Sequence, residues 1–428
     1  MKFHPERDAL TLELHERPFQ PMAAPLRVSH LAVGAGEHGA EQDRAQLVEL
    51  CRRYGAAHPG PEVKHFTADL GSFLVKWERH TEFSTYTFLR EEPFDEPFDE
   101  TVFDLVPQEW KDSLPGDVVV AIHMAIKEDR SEAIEPNRLS RWFDGNPVFA
   151  DRLGDDLAEI YGDLRTGDDR FERFLVRVGE VEPALLGQLV QRVLEVVSYS
   201  RLSLLALPIA RSTSPRLAGV EAGLAEVAAQ LARHDRVPDD EALLDKLSTI
   251  SADLEDVVGA SSYRYSASQA YYEIVGNRLR NLAPIHVPGQ ITLFGYLMRR
   301  VDPAMSTCQS MVNRQEALSR RANRLSSLLQ TGIEVRLEAQ NRDLLRSMNR
   351  RAEQAITLQR TVEGLSVVAV TYYGLSLLEK LFKGLDEAGT LPVDPDLATA
   401  VALPVVALGF WSLIRYLTRH IRHAPPEG

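Results

Sequence analysis

Two apolar runs near the C-terminus constrain this chain more than any other feature of its sequence. The first covers residues 364–382 and the second covers residues 397–416, with a short acidic loop between them. A helix needs about 20 mostly apolar residues to cross the hydrocarbon core of a bilayer, and both runs reach that length. The sequence therefore predicts a C-terminal transmembrane hairpin. A buried helical hairpin in a soluble protein is the alternative.

Charges around the two runs predict the orientation of the hairpin. Arginines lie on the outer flanks of both runs, whereas the loop of residues 384–395 is acidic, although Lys380 and Lys383 reduce the contrast. The flanking arginines are Arg350, Arg351, Arg360, Arg415, Arg419 and Arg422. Lys and Arg accumulate in cytoplasmic segments, so we expect both termini in the cytoplasm and the loop outside.

The acidic composition argues against nucleic-acid binding. The formal net charge is −14, and no basic patch with interleaved aromatic residues occurs in the sequence. Cys51 and Cys308 are far apart and form no metal-binding or redox motif, which suits a reducing cytosol. The charged N-terminus lacks an apolar core, so we expect no cleavable signal peptide and a cytoplasmic body.

Strand and helix patterns divide the chain into consecutive parts. The fold class expected is an α+β cytoplasmic domain, then a mainly α-helical region with long stalk helices, then the two-helix transmembrane hairpin. The expected boundaries are 1–140 for the α/β domain, 150–303 for the helical region, 304–363 for the stalk helix, 364–418 for the hairpin, and 419–428 for a basic cytoplasmic tail.

Within the α/β domain, the patterns locate individual elements. Strands are predicted at residues 28–33, 63–69 and 117–126, two antiparallel strands turning near His80 at residues 72–89, and an amphipathic helix at residues 41–54. From about Asp151 the pattern becomes helical. Residues 182–210 are apolar but carry Arg192, Glu195 and Arg201, which favours a buried soluble helix over a third span. Pro208 and Pro215 are expected to mark its end.

The stalk carries an apolar stripe with spacings of three and four residues. Its members are Leu318, Ala322, Leu325 and Leu329, continued with some drift by Leu337, Leu344, Met348, Ala355 and Val362. This spacing predicts a packed or coiled stalk and a homo-oligomer, with Gly332 as its weak point. Since the stalk runs directly into the first apolar run, mechanical coupling from the body to the membrane is a hypothesis.

The densest polar cluster is Glu78, His80 and Glu82. On a strand these three side chains alternate onto one face, where His15 or His30 is able to join them. Carboxylates with imidazoles suit a divalent cation or acid–base chemistry. The alternative is a strand face whose charges pair with arginines such as Arg17. No phosphate loop, nucleophile elbow or zinc-protease motif occurs in the sequence, so we expect no enzyme and no cofactor other than such a cation.

Two further features have both a functional and a structural interpretation. The acidic duplication of residues 92–100 suits divalent cations or a basic partner, or is a solvated proline-rich loop. In the hairpin, Glu363 either is functional, pairs with Arg360, or reaches the headgroups. The polar residues Thr371, Tyr372, Tyr373 and Ser376 suit either a membrane path or contacts between helices.

Three separated motifs carry a resemblance to a known family. They are residues 14–19 (LHERPF), 77–83 (WERHTEF) and 359–366 (QRTVEGLS). With them the chain resembles an uncharacterised bacterial family of membrane-anchored proteins, domain of unknown function 3422, over nearly its whole length. The resemblance implies a protein of the bacterial inner membrane and supplies no activity or catalytic residues.

A looser likeness, of architecture only, is to CorA-type divalent-cation transporters. Residues 373–376 (YGLS) lie within the first apolar run, whereas that family ends its first span with a Tyr-Gly-Met-Asn type motif. Two functions follow as hypotheses. One is an oligomer whose first spans line an ion path, and the other is an anchored scaffold or sensor that binds a cytoplasmic protein partner. An anchored enzyme that uses Glu78, His80 and Glu82 is a third, less supported alternative.

Overall fold

A computed structural model describes residues 3–7, 10–11, 19–34, 39–130, 133–232, 240–387 and 393–421. Residues 14–18 of the first motif, part of the loop between the apolar runs, and the basic tail after Ile421 lie outside the described residues. The chain divides into two compact units, Met1–Ser326 and Ser327–Gly428. We call them the body and the C-terminal unit.

The body is built on one mixed, nine-stranded sheet. Its strand order is β2-β3-β4-β1-β5-β8-β7-β6-β9, and β5 with β8 is its parallel pair. The strands are β1 (Leu26–Gly34), β2 (His65–Asp69), β3 (Leu74–Arg79), β4 (Phe83–Glu91), β5 (Val118–Glu128), β6 (Phe149–Leu153), β7 (Ala158–Thr166), β8 (Glu172–Val178) and β9 (Ile285–His286).

Eight α-helices accompany the sheet among the described residues, with one 3₁₀ turn at Val102–Leu105. They are α1 (Gly39–Arg53), α2 (Gln108–Asp112), α3 (Pro136–Trp142), α4 (Pro183–Ser203), α5 (Ala206–Leu231), α6 (Asp240–Leu282), α7 (Leu293–Glu387) and α8 (Pro395–Ile421). The strands predicted before residue 130 and the helix at residues 41–54 are confirmed to within a few residues at each end.

Both faces of the sheet are covered, because successive side chains of each strand point to opposite sides. On one face, Val28 and Ile122 pack against Val193 of α4 and Leu297 of α7. We call this the α4 face. On the other face, buried side chains including Trp77 pack against α1, α2 and the 3₁₀ turn. The body is therefore a sheet between helical layers.

The prediction of helix from about Asp151 is wrong for the next thirty residues. Strands β6, β7 and β8 occupy that segment, and the helical region begins at Pro183. Two Gly-Asp-Asp turns separate the three strands, and Gly154, Asp155 and Asp156 of the first turn all have positive φ. Short strands between such turns pair side by side, and apolar spacing alone does not distinguish them from helix.

The prolines expected to end α4 also lie elsewhere. The chain turns at Leu204 and Leu205, and α5 begins at Ala206. Pro208 is therefore in the first turn of α5, where a missing N–H is tolerated, and Pro215 lies inside the helix. The expectation that α4 is a buried helix is confirmed, since twelve of its residues are buried.

Helix α7 starts on the sheet and continues through both units. The backbone N–H of Phe294, at its start, donates to Asp151 Oδ2 over 2.8 Å. Asp151 is a buried residue of β6, and burial raises the pKa of its carboxyl to about 6. A carboxylate at a helix N-terminus satisfies a backbone donor that lacks an intrahelical partner. Asp151 thus connects β6 to the first turn of α7.

The stalk stripe is buried only in its first part. Leu318 to Leu329 are covered, whereas the continuing residues Leu337, Leu344, Met348 and Val362 are each more than half exposed. In the C-terminal unit, α7 and α8 contain the two predicted apolar runs. A Cβ placed on Gly374 of α7 comes within 2.9 Å of the Phe410 ring of α8, so the two helices are in close contact there.

Three helical segments among the described residues are long and apolar enough to cross a membrane: Pro183–Leu231, Leu293–Asp386 and Pro395–Leu413. Their environments differ. Each segment contains an apolar window of 18 residues. The buried share of that window is 56% in the first segment and 0% in the other two. The apolar surface of α4 is therefore used by the body, and that of α7 and α8 is open.

Candidate functional site

Rows of polar side chains cross three strands on the α4 face. In the register of the sheet, Thr87 of β4 stands between His30 of β1 and Lys76 of β3. One row along, Thr85 of β4 stands beside Glu78 of β3. Cross-strand neighbours lie about 5 Å apart, so these five side chains form one polar patch on an otherwise apolar face.

Helix α4 presents polar groups to this patch. Gln191, Glu195 and Ser198 are spaced by four and three residues, which places them on one side of the helix. Neighbouring positions Val190, Val193 and Val197 are fully buried in the apolar core. The polar side chains of α4 and of the sheet therefore face each other within a hydrophobic layer.

Between them lies a partly enclosed cavity of about 190 Å³. Four parts of the body meet around it: the segment before β1, the sheet, α4 and the end of α6. Its lining residues are Phe19, Met22, His30, Lys76, Glu78, His80, Phe83, Thr85, Thr87, Gln191, Leu194, Glu195, Ser198, Tyr199 and Arg278.

A connected chain of charged and amide groups borders the cavity. Lys76 Nζ donates to Gln191 Oε1 over 3.1 Å and lies 3.2 Å from Glu78 Oε1. Gln191 Nε2 donates to Glu195 Oε1 over 3.0 Å, and Arg278 Nε donates to Glu195 Oε2. The cavity is therefore bordered by two basic and two acidic side chains, whose formal charges balance.

His30 lies at the floor of the cavity as a neutral imidazole. Its Nδ1 lies 2.8 Å from Thr87 Oγ1, and its Nε2 lies 3.2 Å from Ser198 Oγ. Burial, with a smaller effect from the Lys76 ammonium, lowers the pKa of His30 to about 3. In a neutral imidazole one ring nitrogen donates and the other accepts, so both hydroxyls have a suitable partner.

The other wall of the cavity is aromatic and aliphatic. The ring of His80 stacks on Phe83 at 4.2 Å, and Tyr199 contacts Phe83 edge-on at 6.1 Å. Met22 and Leu194 complete this wall. A small molecule in the cavity would thus meet both charged groups and apolar surface, as in most ligand sites.

The predicted cluster of Glu78, His80 and Glu82 is only partly brought together. Strand β3 ends at Arg79, so His80 and Glu82 lie in the turn before β4. Glu78 and His80 line the cavity, and so does His30, which the sequence analysis named as a possible neighbour.

Glu82 lies apart from the cavity and binds α6. Arg264 Nη1 lies 3.1 Å from its carboxylate, and the Tyr271 hydroxyl donates to it over 2.6 Å. Burial, with help from Glu82, raises the pKa of Tyr271 far above its usual value. Among the described residues, no three His, Cys, Asp or Glu side chains are placed to hold a metal. The predicted cation site gains no support from this arrangement.

A second polar cluster resembles a catalytic triad in composition but is closed. Ser29 Oγ lies 2.9 Å from His123 Nδ1, and His123 Nε2 lies 3.7 Å from Asp169. Ser29 is fully buried, and its Oγ accepts a hydrogen bond from the backbone N–H of Phe103. Phe171 stacks on the His123 ring at 3.8 Å. A nucleophile needs room for substrate, so we assign this cluster a structural role.

The acidic duplication is tied to the body at two glutamates, whereas Asp95, Asp99 and Glu100 are exposed. Glu92 pairs with Arg27 at 2.9 Å, and Glu96 binds Arg141 and the indole N–H of Trp142. The bond from Trp142, with help from Arg141, lowers the pKa of Glu96. The segment has no regular secondary structure, as expected for its prolines, but it anchors α3 and β1 by these contacts.

The polar residues predicted for the membrane bond within their own helix. Gln359 Nε2 donates to Glu363 over 3.0 Å, and Thr371 Oγ1 donates to the carbonyl of Val367 over 2.7 Å. Tyr372 is 70% exposed, and Ser376 is half-buried. Their role in a membrane path or between helices stays a prediction.

Sequence reasoning missed most of the cavity. Two sequence patterns indicated the cavity. Three polar residues share one side of the apolar helix α4, and Lys76, Thr85 and Thr87 of β3 and β4 stand at inward-facing positions of their strands. What the sequence did not indicate is that α4 lies over this part of the sheet.

Comparison with known proteins gives a family and no closer relative. A family model described as "Protein of unknown function (DUF3422)" matches residues 2–421. No curated protein and no solved structure matches the chain. None of these comparisons supports the architectural likeness to CorA-type transporters.

Proposed function

The chain belongs to the DUF3422 family, and from this premise and the fold we propose that it is an integral protein of the bacterial inner membrane. In this proposal, the end of α7 and most of α8 form a transmembrane hairpin. The body is held at the cytoplasmic face as a membrane-anchored module that binds other molecules.

One observation carries the proposal: the two C-terminal apolar windows bury none of their residues inside the protein. Val368, Leu377, Val405 and Leu408 are each at least 63% exposed. Contiguous exposed apolar surface of this length is rare on soluble proteins, since each Å² left in water costs about 25 cal/mol. A bilayer covers this surface over the length that the two runs span.

Cysteine accessibility tests the proposed topology. In a Cys51→Ala, Cys308→Ala background, Asp394→Cys places a thiol before α8, and Glu338→Cys places one in the stalk. Both native residues are exposed. In intact cells an impermeant maleimide should label Asp394→Cys alone, and Glu338→Cys should require lysis. Labelling of both only after lysis would contradict a spanning hairpin.

The stalk supports a further part of the proposal, a second copy of the chain as its partner. Leu337, Leu344 and Met348 are exposed at seven- and four-residue spacing, in a segment too charged for lipid to cover. Ion pairs within the helix, such as Arg342 with Glu338 at 3.3 Å, reduce the repulsion between two such stalks. Apolar stripes of this kind associate side by side.

The mass of the full chain in nanodiscs tests the stalk contact. We expect an oligomer for the natural sequence, and a monomer for the double variant Leu344→Lys, Met348→Lys. Val335→Lys is the matched control, because Val335 is similarly exposed but lies on the opposite side of the helix from Leu344. A monomeric natural protein would exclude both the stalk contact and an ion path.

The size of the oligomer decides what to measure next. Two spans per chain do not enclose a pore, so ion transport requires several copies. A closed ring of four or more would direct attention to Glu363, Thr371, Tyr372 and Ser376, and cation flux would be the measurement. A dimer would favour a scaffold or sensor, and the search would turn to cytoplasmic partners of the body.

A further inference from the structure

We propose that the cavity under α4 binds a small zwitterion of the amino-acid class. This inference goes beyond the membrane anchor and does not depend on it, because every lining residue belongs to the body. It rests on the size of the cavity, its balanced charge and its apolar wall.

Size excludes the larger ligand classes. The cavity has a volume of about 190 Å³. Sites for drug-sized molecules and nucleotide cofactors usually measure about 300–1,000 Å³. A ligand that is enclosed by the cavity is therefore a small metabolite or a few water molecules.

Charge excludes ligands with a net charge. A phosphate or dicarboxylate near Lys76 and Arg278 would also face Glu78 and Glu195, and a divalent cation would also face the two cations. A buried charge without a partner costs several kcal/mol. A ligand with one carboxylate and one ammonium matches both signs at once.

Donors remain for such a ligand. Arg278 uses its Nε for Glu195, and a guanidinium has four further N–H donors. Each carboxylate of Glu78 and Glu195 has several acceptor positions. The apolar wall of Met22, Phe83 and Leu194 then suits an uncharged side chain.

The polar groups themselves are hard to explain by stability. An ion pair buried in a core, such as Lys76 with Glu78 at 6% and 13% side-chain exposure, is seldom better than apolar residues of the same volume. Helix α4 places valines at positions 190, 193 and 197 against the core, yet Gln191, Glu195 and Ser198 face the cavity. Binding of a zwitterion explains why these side chains are polar, whereas packing does not.

Thermal shift and calorimetry on the detergent-purified full chain test the proposal. The probes are the L-amino acids one at a time, with inorganic phosphate and magnesium chloride alone for comparison. We expect at least one amino acid with an uncharged side chain to raise the Tm in a saturable way and to bind in calorimetry. Binding of phosphate or magnesium only, or of no probe, would overturn the proposal.

Variants locate the binding site. Arg278→Gln and Glu78→Gln each remove one charge and keep a hydrogen-bonding side chain. Each should weaken binding about 10- to 100-fold, the loss expected for one charge-assisted hydrogen bond. Arg264→Gln is the matched control, because Arg264 lies on the same helix and pairs with Glu82 outside the cavity. Unchanged binding in both cavity variants, or equal weakening in the control, would overturn the assignment.

Discussion

The segment of α4 and α5 and the helix α8 are both apolar enough to cross a membrane, and their surroundings are opposite. The segment of α4 and α5 is 56% buried over its most apolar window, whereas the window in α8 buries none of its residues within the protein. The charges explain the difference. Arg201 of α4 binds Glu172 of β8 through two hydrogen bonds of 2.8 and 2.7 Å, and Glu195 binds Arg278. Residues 397–414 of α8 carry no charge at all.

Hydropathy measures the composition of a helix, and not what covers it. Charged residues in an apolar helix indicate a protein partner, because lipid provides none for them. An apolar helix without charges is compatible with either environment. The following predictions test whether the surroundings of α4 and α8 are as different as their contacts indicate.

Truncating a large side chain should distinguish the environment of α4 from that of α8 most clearly. Leu186 of α4 is 2% exposed and Leu408 of α8 is 63% exposed. Leu186→Ala should cost about 2–5 kcal/mol of body stability, because it leaves a cavity in the core. Leu408→Ala should leave the denaturation of the body unchanged. Near-UV circular dichroism during denaturation measures the stability of the body in both variants. An equal loss of stability would show that the two helices have similar surroundings.

A charge in α8 should act on the membrane and not on the body. Val405→Arg adds an arginine to the middle of the proposed second span, at a cost of about 2.5–3.5 kcal/mol for insertion. We expect more of the variant to be extracted by alkaline carbonate. Val335→Arg is the control, since Val335 is similarly exposed but lies in the stalk. Equal extraction of both variants would argue against a span at residue 405.

Acid should destabilise the body through the histidine under α4. Because the pKa of His30 is lowered from 6.5 to about 3 in the folded protein, the unfolded state takes up its proton first as the pH falls. Above pH 6.5 His30 is neutral in both the folded and the unfolded protein, and its burial then carries no cost of losing a proton. We expect a loss of about 3 kcal/mol between pH 6.5 and pH 4.

Denaturation at several pH values should show this dependence reduced in His30→Gln. The exposed histidine His58 provides the control, and His58→Gln should leave the acid sensitivity unchanged. If His30→Gln keeps the full pH dependence, the neutral imidazole beneath α4 is not its source.

The carboxyl of Asp151, which binds the start of α7, should give the opposite dependence of stability on pH. The pKa of Asp151 is raised to about 6, so its ionised form is disfavoured in the folded protein and stability falls as the pH rises from about 4 to 6. Asp151→Asn keeps an acceptor for the Phe294 N–H and removes the ionisation. We expect it to stabilise the body by about 1–3 kcal/mol at pH 7, and to have little effect near pH 4. Thermal denaturation at both pH values measures the difference, and a loss of stability at pH 7 would contradict it.

The sequence predicted the parts of the fold that local patterns encode. Strands β1 to β5 show alternating apolar residues, and helix α1 has its apolar residues on one face. The burial of α4 was predicted from the charges of Arg192, Glu195 and Arg201. Strands β6 to β8 pair as consecutive hairpins and were missed because apolar spacing does not distinguish short strands between turns from helix. The two-residue strand β9 was missed because its partner β6 lies more than 100 residues earlier in the chain. Distant pairings of this kind leave no local periodicity.

The candidate site was predictable only in part, for the same reason. Glu78 and His80 were identified from one strand and its turn, with His30 named as a neighbour, but Ser198 and Arg278 reach the cavity from two helices. Each of these residues has an ordinary local setting. Their chemistry becomes apparent only when the sheet and two helices place them around one space.

The bond between Asp151 and Phe294, together with the pairing of β9 on β6, has a consequence for biosynthesis. These contacts close the sheet at about residue 294, but the body extends to Ser326, and the proposed first span begins about 40 residues after that. At roughly 5–20 residues per second, the ribosome needs several seconds for those residues. In the proposed topology, synthesis of the body is therefore finished seconds before that of the hairpin, and the body begins to fold before the hairpin inserts.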